Sequence, residues 1–140
     1  MSRLAFVLIC LATTAAAQVY EPARGTAERA NLMEALRPHA EWALGAPVIF
    51  VIDTLRSDGA TAFATVEPQR PEGSPIDLDD TPLARRGEDF SFYDGTTMHA
   101  IFQKSGETWV AVHWAIGPTD VWWAAPELCE AYGAVLPVAC

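Results

Sequence analysis

The chain has 140 residues, of which 51% are apolar and 19% are charged. This length and composition suit one compact domain and exclude a collagen-like, low-complexity or disordered chain. Eighteen acidic residues against nine basic ones give a net charge of −9. Because phosphate backbones are bound by basic surfaces, this charge argues against a nucleic-acid partner.

The first 17 residues have the three parts of a secretory signal peptide. Arg3 follows the amino terminus, residues 4–12 form an apolar run, and Ala15-Ala16-Ala17 matches the A-x-A pattern that signal peptidase accepts. We expect cleavage after Ala17 and a periplasmic or secreted bacterial protein. The alternative, a membrane anchor, needs about 20 apolar residues. No stretch of residues 18–140 is that apolar, so we expect no stable membrane insertion.

Removal of this segment leaves Cys129 and Cys140 as the cysteines of the mature chain. Thiols oxidise in an exported protein, so these two residues are predicted to form a disulfide. Gly133 and Pro137 lie between them and allow the chain to turn back. Paired cysteines are poor nucleophiles, so neither is a catalytic candidate.

Residues 26–44 are predicted to form an amphipathic helix. Thr26 is a candidate N-cap, and apolar residues recur at helical spacing with glutamates on the other side. Gly45 and Pro47 end this pattern. Pro38 lacks an N–H group and its ring opposes a preceding carbonyl, so we expect a kink or break there.

The hydrophobic period changes from about 3.6 to about 2 after this helix, which predicts a first β-hairpin. Its strands are residues 48–56 and 60–67, with Ser57-Asp58-Gly59 as the turn. The side chains that this register places on one apolar face include Phe50, Ile52, Thr54, Ala62, Ala64 and Val66. The small alanines leave room for the helix to lie across this face.

A second hairpin is predicted from residues 97–103 and 108–116, with its turn at Lys104-Ser105-Gly106. Alternation along the last strand then decides which side chains face the helix. The helix-facing side chains are Val110, Val112, Trp114 and Ile116. The outward-facing side chains are His99, Trp109, Ala111 and His113.

Between the two hairpins, residues 68–96 are predicted to form an irregular insert that is broken by several prolines. Thr81 followed by Pro82 is typical of a helix start, so a short helix is expected near residues 82–87.

After the second hairpin, Thr119 or Asp120 is expected to cap the next turn, and Pro126 opens a short last helix. Residues 18–140 are therefore predicted to form a single α+β domain. One kinked N-terminal helix packs on a curved four-stranded antiparallel sheet, and a short helix follows at the carboxyl end.

This order of elements resembles the cystatin-like architecture, in which a curved antiparallel sheet wraps one helix, and NTF2-like domains share much of the layout. The resemblance covers about residues 26–116 and implies the same α+β fold. Cystatins inhibit cysteine proteases through a Gln-x-Val-x-Gly first hairpin and a Pro-Trp second hairpin. Here the first turn is Ser57-Asp58-Gly59, and no proline precedes Trp109. These departures argue against protease inhibition.

Four segments also resemble a group of small exported proteobacterial proteins of unassigned activity. They are ERANLMEALRP, APVIFVIDTLRSDG, FATVEPQRPEG and AIGPTDVWW, and together they span most of the mature chain. This resemblance implies export and brings no catalytic residues.

His99 and His113 are the clearest candidates for functional side chains. On the outward face they are diagonal neighbours, whose Cβ atoms lie about 7–8 Å apart, within reach of one bridging metal ion. Asp53 or Asp120 would supply a third ligand. No H-x-H, HExxH or cysteine cluster supports such a site. We therefore favour histidines that only form hydrogen bonds, and predict no metal and no cofactor.

Trp122 and Trp123 follow a rigid Gly117-Pro118 turn. Exposed, they would form a partner-binding patch, because aromatic side chains dominate interface energetics. The alternative, which we favour, is that one of them packs back over the sheet edge. The candidate binding residues from the sequence are His99, Trp109, His113, Asp120, Trp122 and Trp123.

These features predict an exported, non-enzymatic protein that acts as an interaction or small-ligand-binding module. Its partner is an unknown protein or small molecule. The alternative is a small NTF2-like enzyme that uses His99, His113 or Asp53 as acid or base in a pocket between helix and sheet. A pocket holding two of these groups would favour the enzyme, and a filled core would favour binding.

Overall fold

The structure is a computed structural model that describes residues 17–140. Residues 1–16 lie outside the described part, so the signal-peptide prediction is not tested. The helices and strands are α1 (Ala27–Leu44), β1 (Ile49–Ser57), β2 (Thr61–Gln69), α2 (Pro82–Arg85), β3 (Met98–Ser105), β4 (Thr108–Ile116) and α3 (Pro126–Tyr132). The four strands form one antiparallel sheet in the order β1-β2-β3-β4. This is the predicted α+β layout.

Helix α1 begins and ends where the sequence predicts. The Thr26 side chain accepts a hydrogen bond from the Arg29 N–H at 3.4 Å, and Gly45 follows the last turn with a φ of 85°. The break expected at Pro38 does not occur, because the backbone stays helical on both sides. Leu36 and Ala40 flank the proline and are fully buried, so packing against the sheet compensates for the lost backbone hydrogen bond.

The first hairpin carries a β-bulge that changes which side chains face α1. Close to the turn Leu55 pairs with Ala64, but the register shifts between Ile52 and Thr54. Asp53 is thereby left without a cross-strand partner. An extra residue of this kind reverses the alternation of side chains along the strand that contains it.

Ser57, which was predicted to open the turn, pairs instead with Ala62, and this change together with the bulge replaces the predicted register of the hairpin. Leu55 and Ser57 lie on the helix side of the sheet, and both are buried. Thr54, which the unbulged register placed on that side, lies instead on the face away from α1, which we call the outer face. Arg56 also lies on the outer face, where it pairs with Phe63.

The second hairpin turns at Gly106-Glu107 instead of Lys104-Ser105-Gly106, so Ser105 belongs to β3 and pairs with Thr108. Trp109 and Ala111 therefore face α1 and are buried. The prediction that Trp109 and Ala111 point outward is wrong.

A second bulge restores the alternation further along β4. Phe102 pairs with Ala111 and Ile101 with His113, which leaves Val112 as the extra residue. The prediction that Val110 and Val112 face the helix is wrong, since both are exposed. Beyond the bulge the predicted faces are correct: Trp114 and Ile116 pack in the helix-side core, whereas His113 lies on the outer face with His99.

The sheet is packed on both faces. The helix-side core lies between α1 and the sheet and contains Leu32, Leu36, Ala64 and Phe102, all of which are fully buried. The outer face carries a second cluster, which we call the outer core. Its buried members are Phe63, Ile101, Trp123, Val135 and Leu136.

The outer core is covered by residues 122–138, which leave β4 and fold back over the sheet. Cys129 lies in α3 and Cys140 follows that helix. Their Cα atoms are 5.5 Å apart, which is a disulfide distance. The sequence predicted this pairing. It did not predict the cover itself, because the outer face was expected to be half-exposed.

The insert between the hairpins is anchored to the rest of the protein by polar contacts. Thr81 caps α2 by accepting a hydrogen bond from the Ala84 N–H at 3.2 Å, as expected. Arg70 donates to the backbone carbonyls that end α1, including that of Leu44 at 3.0 Å. Thr97 donates to the Glu67 carboxylate at 2.6 Å. These contacts hold the insert at the end of the sheet opposite the hairpin turns.

Candidate functional site

The two histidines lie on the same face but have different partners. The His99 ring stacks on Trp123 with ring centroids 4.4 Å apart, and its Nδ1 is 3.1 Å from the Thr65 hydroxyl. The His113 ring meets the edge of Tyr132 at 5.9 Å. Within residues 17–140, no three His, Cys, Asp or Glu side chains are grouped closely enough to hold a metal ion.

Burial under Trp123 lowers the pKa of the His99 imidazole below its ordinary value. The Asp53 carboxylate opposes part of this effect, because a nearby negative charge favours the protonated ring. The folded protein therefore favours neutral His99 more strongly than the unfolded chain does.

This difference predicts a pH-dependent contribution to stability. The contribution is complete above the unfolded pKa of about 6.5, and it is lost as the pH falls from there through the lower folded pKa. We expect the free energy of unfolding to fall less between about pH 8 and pH 5.5 in His99→Gln than in the native protein. Urea denaturation at both pH values measures this, with the exposed His113→Gln as control. Equal pH dependence in native protein and His99→Gln would contradict the prediction.

The aromatic binding candidates are mostly packed inside the protein. Trp123 lies in the outer core and is 8% exposed. Trp109 lies in the helix-side core and is 6% exposed. Trp122 is partly buried and meets the Trp123 ring edge-on. Asp120 is exposed, and the turn that starts at Trp122 has no side-chain cap, so the expected capping role of Asp120 or Thr119 is wrong.

The structure does not place the histidines of the enzymatic alternative between the helix and the sheet. His99 and His113 lie on the face away from α1, so the interface between helix and sheet does not contain them. That interface is instead filled by apolar side chains of the helix-side core.

Arg56 is one of three side chains within residues 17–140 that have a buried nitrogen without a hydrogen-bond partner, and the other two are Trp122 and Trp123. The Arg56 Nε is buried and has no hydrogen-bond partner, and one Nη donates to the Ala134 carbonyl at 3.4 Å. Among residues 17–140, no carboxylate lies within 4.0 Å of this guanidinium. An arginine that is partly buried without a counter-ion has unused capacity to donate hydrogen bonds.

Arg56 lines an open depression of about 390 Å³ at the β1 edge of the sheet, which we call the edge site. The lining residues are Val19, Tyr20, Glu21, Asp53, Thr54, Leu55 and Arg56. The edge site thus combines one cationic and two anionic side chains. It depends on the bulge at Asp53, because without the bulge Arg56 would point towards α1.

One wall of the edge site is held in place by the segment before α1. The Tyr20 backbone pairs with that of Ser57, and the Tyr20 hydroxyl donates to Glu28 at 2.8 Å. Ser57, which is fully buried, donates to the same carboxylate at 2.6 Å. The hydrogen bond to Glu28 raises the pKa of the Tyr20 phenol above its usual range. The wall is therefore fixed by hydrogen bonds before any ligand binds.

A second surface depression in the described chain has charges that are already paired. The groove at the hairpin ends is floored by Trp109 and bordered by Glu34 and Glu107. Glu34 pairs with Arg37 at 2.8 Å, and Glu107 lies 3.9 Å from Lys104. The edge site differs from this groove because its arginine has no such partner within the described chain.

The sequence identified Asp53 as a possible metal ligand and as a possible acid or base of the enzymatic alternative, and it did not identify Arg56. Comparisons with family models, with curated proteins and with solved structures found no match to this chain.

Proposed function

We propose that this protein is an exported, non-enzymatic binding module that takes a small carboxylate-bearing ligand at Arg56. The observation that supports this most is that Arg56 lines the edge site and has no carboxylate within 4.0 Å in the described chain. Guanidinium groups bind carboxylates through paired, charge-assisted hydrogen bonds. A ligand carboxylate would supply the counter-ion that Arg56 lacks in the described chain.

Binding fits the edge site better than catalysis does. None of its lining residues is a histidine or a cysteine, the side chains that most often exchange protons or act as nucleophiles near neutral pH. The volume of about 390 Å³ suits a small molecule. The bulged strand and the Tyr20 segment provide a preformed wall, which lowers the entropic cost of binding.

Export is supported by features outside the edge site. Cys129 and Cys140 lie at disulfide distance, and such pairs persist in oxidising compartments. No helix within the described range is suited to crossing a membrane. Both features are compatible with a periplasmic or secreted protein, as the predicted signal peptide requires.

Arg56→Gln is expected to weaken carboxylate binding by at least about tenfold, because a charge-assisted hydrogen-bonded pair contributes about 1.5–3 kcal/mol. Titration of the native protein with leucine and with isocaproate, followed by ¹⁵N NMR, should shift the Arg56 Nε–H signal and the amides of Tyr20 and Thr54. Leucine and isocaproate carry the same aliphatic chain and carboxylate.

The matched control is Arg24→Gln, because Arg24 is exposed, also lacks an ion pair, and does not line the edge site. We expect this variant to bind as the native protein does. The proposal is wrong if neither compound shifts these signals, or if both arginine variants bind equally well.

A further inference from the structure

We infer that the ligand of the edge site is a zwitterion, an α-amino acid or a short peptide, whose ammonium group binds Asp53 while its carboxylate binds Arg56. This inference rests on the proposed function and adds the class of ligand. It follows from two opposite charges that line one depression without pairing to each other.

Asp53 and Arg56 are held apart by the strand that carries both. They are three residues apart in β1, and a strand rises about 3.3 Å per residue, so their Cα atoms are separated by roughly 10 Å. No ion pair forms between them within 4.0 Å. A small molecule with a positive and a negative group can therefore lie between the two side chains and contact both.

The charge of the edge site disfavours a simple anion. The lining has a formal charge of −1, because it contains two carboxylates, Glu21 and Asp53, and one guanidinium, Arg56. The whole protein has a net charge of −9. A plain carboxylate would approach Arg56 against this negative potential. A zwitterion has no net charge, and its ammonium group is attracted by the same carboxylates that repel an anion.

Asp53 is the better partner of the two carboxylates for the ammonium group. Glu21 already accepts a hydrogen bond from Arg29, at 3.3 Å. Asp53 has no cross-strand partner, and within the described chain its one side-chain hydrogen bond comes from the Thr54 hydroxyl at 3.0 Å. That bond orients the carboxylate without neutralising its charge.

The remaining wall suits an aliphatic side chain. Val19 lines the edge site and packs against the outer core, so it offers a fixed apolar surface next to the charged groups. Burial of apolar ligand surface against it adds to affinity. Leucine is therefore a suitable probe, with isocaproate and isoamylamine as analogues that lack its ammonium and its carboxylate respectively.

The test compares the affinities of leucine, isocaproate and isoamylamine for the native protein and for Asp53→Asn. We expect the native protein to bind leucine at least about tenfold more tightly than either analogue. Asp53→Asn should remove this preference for leucine over isocaproate, while isocaproate binds as well as before or better. Asp120→Asn is the matched control, because Asp120 is an exposed carboxylate that does not line the edge site. Circular dichroism and melting temperature confirm that each variant is folded.

The outcomes separate this inference from the proposed function. If native protein binds isocaproate as tightly as leucine, and both depend on Arg56, the zwitterion inference is wrong and the carboxylate site stands. If Glu21→Gln rather than Asp53→Asn removes the preference for leucine, the assignment of Asp53 is wrong. If none of the three compounds binds, the proposed function itself fails.

Discussion

Replacing Phe63 with alanine is expected to lower the free energy of unfolding by about 3–5 kcal/mol, the range for a large buried aromatic side chain. Phe63 is fully buried in the outer core, and its ring lies 5.5 Å from that of Trp123. Truncation leaves a cavity between β2 and residues 122–138, and it removes one of the contacts that join the cover to the sheet. Urea denaturation followed by far-UV circular dichroism measures the loss.

The matched control is Phe92→Ala. Phe92 is 78% exposed, so we expect its replacement to change stability by no more than about 0.5 kcal/mol. If Phe63→Ala costs less than about 1 kcal/mol, the outer face is not a packed core, and the cover does not contribute to folding.

Loss of the bridge between Cys129 and Cys140 is expected to cost about 3 kcal/mol, because a short covalent loop restricts the unfolded chain. The two residues are 11 apart, and the loop contains Val135 and Leu136 of the outer core. In Cys129→Ala/Cys140→Ala we expect faster amide exchange in residues 122–138, whereas α1 stays protected.

Reduction of the native protein serves as an independent control for this double variant. Dithiothreitol should lower the melting temperature by about as much as the substitutions do, and should have no effect on the variant itself. Equal melting temperatures of native and variant protein under oxidising conditions would show that the bridge does not stabilise the fold.

Much of the fold is predictable because its helix ends are marked by local chemistry. Thr26 and Gly45 bound α1, Thr81 caps α2, and Pro126 opens α3, as the sequence indicates. These signals act over a few residues, so neighbouring side chains are enough to recognise them. The strands are likewise recognisable from their period, with ends that differ by no more than two residues from those predicted.

The register within each hairpin was less predictable because bulges leave no clear trace in a hydrophobic pattern. Asp53 and Val112 each add one residue and reverse the alternation. Simple alternation therefore placed Trp109 outward and Val110 inward, the opposite of what the structure shows. The same error concealed Arg56, whose position on the outer face depends on the bulge beside it.

The outer core depends on contacts between distant parts of the chain. Phe63 lies in β2, whereas its partners Trp123 and Leu136 come from the carboxyl end. The available signal was the apolar Val135-Leu136 pair close to a cysteine, which suggests burial but not the surface that it covers. Packing complementarity between such segments is a property of the folded molecule and not of either segment alone.

The bulge at Val112 also affects how copies of this protein behave at high concentration. β4 is an edge strand, and Thr108–Ile116 contains no Lys, Arg, Asp, Glu or Pro. Uncharged, regular edges of this length are templates for strand addition and aggregation. A bulge bends and twists the strand, so the spacing of its free N–H and C=O groups no longer matches a flat neighbour. Val112 thus limits edge-to-edge aggregation without placing a charge among the apolar side chains of β4.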